Sequence, residues 1–220
     1  KINGDLRHFD DISKAIKRGH YDLVMYFAGL IIASESVVDP IKYYESNVLA
    51  AINLIKAAHQ GNIKRLIFSS TAAVYGTPKK IPITESSELK PINPYGHTKL
   101  MFEQILSDLS TADKDFHFIA LRYFNAAGAH ASGELGECHE PETHLIPNIL
   151  KNIKGEIKEL TLFGTDYPTI DGTCVRDYIH VQDLCDAHFL AIKALDKGIK
   201  NEFFNLGSGK GYSVQQIINE

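Results

Sequence analysis

The chain has 220 residues, 23 Lys plus Arg against 27 Asp plus Glu, and a net charge of −4, with 44% hydrophobic and 23% charged residues, the balance of an ordinary globular protein. The mild acidity argues against a basic face for nucleic acid or an anionic membrane, and no apolar run approaches the ~20 residues of a membrane span. Cys138, Cys174 and Cys185 are odd in number and lack C-x-x-C spacing, so reduced thiols of a cytoplasmic protein are expected, not a disulfide scaffold.

Lys1-Ile2-Asn3-Gly4-Asp5 reads as a strand end running into a loop, without an initiating Met and with nothing at Lys1 that resembles a signal peptide, and the chain closes inside an apparent helix at Ser213–Glu220. An interior piece of a longer protein is expected. Residues 10–17 have helical periodicity and are stopped by Gly19. Residues 22–27 (DLVMYF) are nearly all apolar, as in a strand buried on both faces. A helix is expected over 40–59, with Pro40 in its first turn and Gly61 after its end. Strand 65–70 (RLIFSS), helix 94–109, strand 116–123, strand 176–181, helix 183–195 and strand 202–206 come after it. Between them, 126–147 is rich in Gly, Glu, His and Pro and reads as a long functional or ordering loop. Its His130, Glu137, Cys138, His139 and His144 are metal-ligand types, but their spacings match no zinc pattern, and no metal is expected. Phe9, Phe27, Phe68, Phe102 and Phe189 are assigned to the core. Strands alternating with helices indicate an α/β protein with a doubly wound parallel sheet, whose ligands lie at the carboxyl ends of the strands.

The strongest chemical signal is Tyr95 followed four residues later by Lys99 on a helix, which puts both on one face. An ammonium near a phenol favours the phenolate, so Tyr95 is a candidate general acid/base and Lys99 a holder of a polar ligand such as a ribose. The spacing alone suits an ordinary surface pair equally well. Upstream, Ser69-Ser70-Thr71 brings hydroxyls to a strand's carboxyl end, where one can relay a proton to Tyr95; such residues also serve simply to end strands and cap the next turn.

Around these lie Gly4-Asp5-Leu6-Arg7, Phe27-Ala28-Gly29-Leu30, Tyr43-Tyr44-Glu45-Ser46-Asn47-Val48, Phe68 to Gly76, Pro94 to Lys99 and Leu121-Arg122-Tyr123-Phe124-Asn125. Further on come Gly128-Ala129-His130, Phe163 to Thr169, Asp171-Gly172-Thr173, Val175 to Val181 and Asn205 to Gly209. In these stretches, in this order, the chain resembles the UDP-glucose/UDP-galactose 4-epimerases, in the extended branch of the short-chain dehydrogenase/reductase superfamily. The resemblance implies a Rossmann-like doubly wound sheet with a smaller C-terminal nucleotide-sugar-binding portion, less the N-terminal βα unit or units. Residues 1–124 would be the NAD-binding domain. Residues 125–220 would mainly bind substrate, interleaved with elements returning to the first domain. A further ~50 N-terminal residues with the glycine-rich turn are expected upstream.

NAD is the implied cofactor, a UDP-sugar the substrate and a homodimer the assembly, with no nucleic acid or membrane partner. Tyr95, Lys99 and Thr71 would be catalytic. Asp5 and Leu6 would border the adenine, Phe27, Ala28, Gly29 and Leu30 the pyrophosphate and ribose. Asn47 and Ser69 would lie along the cofactor, Tyr95 and Lys99 beside its nicotinamide ribose, and Phe124 against the nicotinamide. Substrate would meet Thr71, Tyr95, Asn125, His144, Leu145, Leu160, Phe163 and Arg176, with Asn125 and Arg176 at the diphosphate and Leu160 to Phe163 at the uracil. The chain departs from the family where Ile31 replaces a usual Lys and His144 a usual Asn. Two other readings stay open: a related nucleotide-sugar oxidoreductase or decarboxylase, and a non-catalytic dinucleotide sensor, which would be expected to have lost Tyr95 or Lys99. A 4,6-dehydratase would need acids directly after Thr71, where this chain has Ala72 and Ala73.

Overall fold

A computed structural model describes residues 1–220. In chain order its elements are α1 (Phe9–Ile16), β1 (Val24–Tyr26), α2 (Ala33–Val38), α3 (Pro40–Tyr43), a π-helical turn (Tyr44–Leu49), α4 (Ala50–Gln60) and β2 (Arg65–Thr71). Next come a 3-10 turn (Ala72–Tyr75), α5 (Pro94–Ala112), β3 (His117–Tyr123), β4 (Asn125–Ala127) and α6 (Leu145–Ile153). The last elements are β5 (Val175–His180), α7 (Val181–Asp196), β6 (Glu202–Leu206), β7 (Gly211–Ser213) and α8 (Val214–Asn219). The chain divides into two compact units, 1–123 with 188–205, and 124–187 with 206–220. No helix is long and apolar enough to cross a membrane.

The first unit is built on a sheet of order β1-β2-β3-β6, with β1, β2 and β3 parallel. Six of the seven residues of β2 are buried, as a strand covered on both faces requires. The register sets Ser70 opposite Arg122 and Thr71 opposite Tyr123, bringing the polar ends of both strands to one edge. Helix α5 packs on β2 and β3. It starts sharply because the Asn93 side chain accepts a hydrogen bond from Gly96 N and Pro94 occupies the first turn. Its buried Phe102 meets Phe68 edge-on at 4.7 Å between ring centroids, and Leu106 joins the same core with Tyr26, Leu66 and Phe118. Each such side chain withdrawn from water contributes about 2 kcal/mol. Gly96 lets α5 approach the 3-10 turn, since a Cβ there would stand 2.9 Å from the Ala73 carbonyl oxygen.

Three expectations are corrected in this unit. The helix over 40–59 is one path but not one α-helix: a π-helical turn at Tyr44–Leu49 interrupts it and turns Asn47 inward, a distortion that hydrophobic periodicity does not register. Strand β1 covers only Val24–Tyr26 and is mostly half-buried, because it pairs on one side alone, with β2. Phe68 and Phe102 are core and Phe9 packs against it, but Phe27 and Phe189 are 55% and 62% exposed, Phe27 lying just past the end of β1.

The second unit carries a small sheet of order β4-β5-β7, parallel between β4 and β5 and antiparallel between β5 and β7. Helix α8 begins with a capping box in which Ser213 and Gln216 satisfy each other's backbone. The stretch 126–147 is a loop only between Ala127 and Leu145; β4, three residues long, and the first turn of α6, which contains Pro147, take its ends.

Candidate active site

The end of β2 and the opening turns of α5 hold the first group of residues. Thr71 caps the 3-10 turn, its hydroxyl accepting from Ala73 N at 3.1 Å. Ser69 donates its hydroxyl to the Tyr26 carbonyl at 3.0 Å, and its own carbonyl accepts from Lys99 Nζ at 2.9 Å. That bond and the Phe68 ring, 4.9 Å from Nζ, hold the Lys99 ammonium in a buried position. Burial pulls the Lys99 pKa down to about 8. Tyr95 is fixed through its backbone, Tyr95 N donating to Ser36 Oγ at 3.1 Å. Burial pushes the Tyr95 phenol up from its ordinary value, and the neighbouring Thr71 hydroxyl pulls it part of the way back. The expectation that Lys99 drives the phenol toward neutrality is therefore corrected: desolvation governs both groups, and the group that favours the Tyr95 phenolate is Thr71.

Past β1, Phe27, Ala28 and Gly29 are exposed and Leu30 half-buried. Buried Asn47 holds this turn: its Oδ1 accepts from Leu30 N at 2.8 Å, and its amide donates to the Leu30 carbonyl and to Thr98 Oγ1, both at 3.0 Å. Both amide hydrogens are thus taken by the chain, which makes Asn47 the brace of the Gly29–Leu30 backbone. A Cβ on Gly29 would lie 3.0 Å from Asn47 Oδ1 and 3.7 Å from Lys99 Nζ, so glycine keeps open the space beside the ammonium. Half-buried Leu6 and Asp5 lie further off in sequence, on the segment leading to α1. The Asp5 carboxylate is paired with Arg7 at 2.6 Å, and that guanidinium holds its pKa at about 2.

Behind Thr71 sits a network that spacing did not reveal. Arg122 and Glu103 are each 2% exposed and form a two-pronged pair, Nε to Oε1 at 3.0 Å and the second nitrogen to Oε2 at 2.7 Å. Glu103 also accepts from Ser70 Oγ, and Arg122 donates to Tyr75 OH, which donates to Asn205 Oδ1. The pair ties β2, β3, α5 and the 3-10 turn together directly behind the candidate catalytic residues. The sequence signal was a charge inside each of two otherwise buried segments, Leu121-Arg122-Tyr123 and Phe102-Glu103.

In the second unit, Phe124 and Asn125 follow each other at half-buried positions, Asn125 donating to the Asp177 carbonyl at 3.0 Å. Asp177 gathers Ser208 N, Ser208 Oγ and Gly209 N on its carboxylate, which sets the 207–209 turn beside Phe124. Arg176 is exposed on β5, with one hydrogen bond, to the Val175 carbonyl. Leu145 opens α6 and His144 precedes it; Leu160 is half-buried and Phe163 is 84% exposed. The loop before α6 brings Glu137, His139, Glu142 and His144 together, one ligand atom from each within 4.8 Å of the others. Sequence spacing, the ground for expecting no metal, does not measure distance in such a loop.

The pattern described as "NAD dependent epimerase/dehydratase family" matches residues 1–207. The UDP-glucose 4-epimerases of Lactobacillus helveticus and Lacticaseibacillus casei are 50% and 47% identical over 98% of the chain. The chain spans about 65% of the length of these curated relatives. Among solved structures, UDP-glucose 4-epimerase from Bifidobacterium longum in complex with NAD+ and UDP is 44% identical with a TM-score of 0.95, covering 99% of this chain and 65% of that one. The enzyme from Brucella ovis in complex with NAD is 43% identical with a TM-score of 0.94, covering 99% and 67%. The likeness extends over both units and establishes the Rossmann-like α/β fold.

Proposed function

Because the chain belongs to the NAD dependent epimerase/dehydratase family, we propose that the protein carrying it interconverts UDP-glucose and UDP-galactose at the sugar 4-carbon, with NAD as a retained cofactor. The residues of the first unit fit a dinucleotide. Gly29 leaves the space a Cβ would fill, and Lys99 Nζ uses one N–H on Ser69, leaving two donors for a ribose. Asn47 and Ser69 act on the cofactor indirectly, by setting the Leu30 backbone and the Lys99 ammonium. Asp5, Leu6, Phe27, Ala28 and Leu30 supply its other contacts, and Phe124 a face for the nicotinamide. Held by these residues, NAD would supply the hydride acceptor and donor that the change at the sugar 4-carbon requires.

Tyr95 takes the proton of the 4-hydroxyl and gives it back. Thr71 lowers the cost of the phenolate and passes the proton on. Arg176 and Asn125 hold the diphosphate, Leu160 and Phe163 the uracil, and His144 and Leu145 the far side of the sugar, so that a 4-keto sugar can turn over without escaping. One observation carries the epimerase reading: Tyr95 and Thr71 are both in place while the positions after Thr71 are Ala72 and Ala73, which cannot donate or accept the protons that loss of water from the sugar requires.

A homodimer is supported by the exposed Val37, Val38, Ile41 and Leu49, all within residues 33–49, and by Met101 on α5. A cytoplasmic location is supported by three free cysteines. The test is to supply the protein with NAD and UDP-galactose and measure UDP-glucose with a coupled dehydrogenase. Formation of UDP-glucose supports the proposal, and its absence from folded protein that binds NAD overturns it.

A further inference from the structure

The loop between β4 and α6 has no regular structure from Gly128 to His144, yet four of its side chains aim at one point. His144 Nδ1 lies 2.7 Å from Glu137 Oε1 and 2.8 Å from Glu142 Oε1. His139 Nδ1 lies 3.1 Å from Glu137 Oε1 and 3.9 Å from Glu142 Oε2. The Glu142 side chain is only 3% exposed. Its Oε1 accepts from Thr143 N and His144 N and lies beside His144 Nδ1, while its Oε2 accepts no hydrogen bond from the chain and faces His139. Two carboxylates and two ring nitrogens so arranged need positive charge among them, either imidazolium protons or a cation. A single Nδ1–H cannot fully serve two carboxylates, as the His144 geometry would ask of it.

We propose that Glu137, His139, Glu142 and His144 form a site for a divalent cation of the zinc class, which clasps the loop ahead of α6. Two imidazole nitrogens and two carboxylate oxygens suit zinc, whereas calcium and magnesium take oxygen ligands. Ligands about 2.1 Å from a tetrahedral zinc stand about 3.4 Å apart. The two approaches to Glu137 Oε1, 2.7 and 3.1 Å, are shorter than that edge, the His139 approach to Glu142 Oε2, 3.9 Å, is longer, and one ligand atom from each residue lies within 4.8 Å of the others, so side-chain adjustments on the order of 1 Å would close a tetrahedron. The ligands must be deprotonated to bind, so binding releases protons and weakens as the pH falls. The role is structural: four protein ligands close the shell, and the metal fixes the residue that enters α6. The site shares His144 with the epimerase reading, but metal retention is measured without a nucleotide sugar, so the two can fail separately.

The test uses the whole protein, stripped with a chelator, given Zn²⁺, passed over gel filtration and assayed for bound metal by mass spectrometry. One zinc per chain is expected for the wild type and for His130→Asn, a loop histidine outside the cluster. Glu137→Gln and His139→Asn should weaken binding by roughly 100-fold or more. The His139 side chain is 46% exposed, so its replacement leaves the folded core intact and circular dichroism will confirm it. Co²⁺ should give the strong visible bands of a tetrahedral site in the wild type and lose them in both variants. Failure of the wild type to retain zinc, or equal retention by the variants, overturns the proposal and leaves the cluster as a protonated hydrogen-bonded staple.

Discussion

The carboxyl end of β2 with the first turns of α5, and the loop between Ala127 and Leu145, both concentrate polar side chains, but they hold them in opposite ways. At β2 and α5 each functional group is fixed by backbone: Lys99 by the Ser69 carbonyl, Ser69 by the Tyr26 carbonyl, Thr71 by Ala73 N. The groups are buried, and desolvation sets the proton affinities of Tyr95 and Lys99. In the loop, Glu137, His139, Glu142 and His144 contact one another, and of these side chains Glu142 alone is also held by backbone N–H groups, those of Thr143 and His144. Regular elements translate sequence spacing into distance, and loops do not. The first region should therefore respond to substitution residue by residue, through burial and proton transfer, and the second as a unit.

The largest effect expected in the first region is on turnover. Tyr95→Phe should lower kcat by about 10²–10⁴-fold with little change in UDP-sugar affinity, because it removes a proton-transfer group and almost no contact area. Steady-state kinetics with a binding titration check this, and a comparable loss of affinity would recast Tyr95 as a binding residue.

Next is the buried pair behind the site. Arg122→Met leaves the Glu103 carboxylate without its partner and should destabilise the fold by about 3–5 kcal/mol in urea unfolding. Removing both charges with Glu103→Gln in the same chain should cost less. The exposed pair Lys79–Glu88, at 86% and 62% side-chain exposure, should give less than about 1 kcal/mol on the same measurement.

Lys99 is third, with a sign opposite to the usual expectation for losing a charge. Its pKa is about 8 in the folded chain against 10.5 for an ordinary lysine, so between those values the unfolded chain binds more protons. Stability from this residue rises with pH across that window and is lowest below pH 8, by about 3 kcal/mol. Lys99→Met should thus raise stability at pH 7, flatten the rise between pH 8 and 10.5, and lose cofactor binding. Unfolding curves at several pH values decide it. The smallest effect is at Tyr26, whose hydroxyl is buried without a partner, and Tyr26→Phe should raise stability by up to about 1 kcal/mol.

Legibility in the sequence divides along the same line. Strands β2, β3 and β6 and helices α5 and α7 were readable because each is a periodic or continuously apolar segment, and the placing of Tyr95 and Lys99 on α5 and Thr71 at the end of β2 because those elements were. The bonds of Asn47 to Leu30 and Thr98 were not readable, since a π-helical turn that redirects a side chain leaves no mark on periodicity. Phe27 and Phe189 were misread as core because an aromatic residue at the end of a strand or on a helix face looks the same whether or not another surface covers it. Arg122 with Glu103, and the four loop residues, depend on contacts between positions whose separation in sequence says nothing of their distance.

The central claim, C4 epimerisation carried by Tyr95 and Thr71 with no acid after Thr71, is tested most directly by following the sugar. The protein with NAD and UDP-glucose should produce the galactose anomeric proton signal by NMR until the two sugars reach a steady ratio, with the 6-CH₂OH signals retained throughout. A 6-methyl resonance in place of the galactose signal would mean that water is lost from the sugar, and would contradict the account.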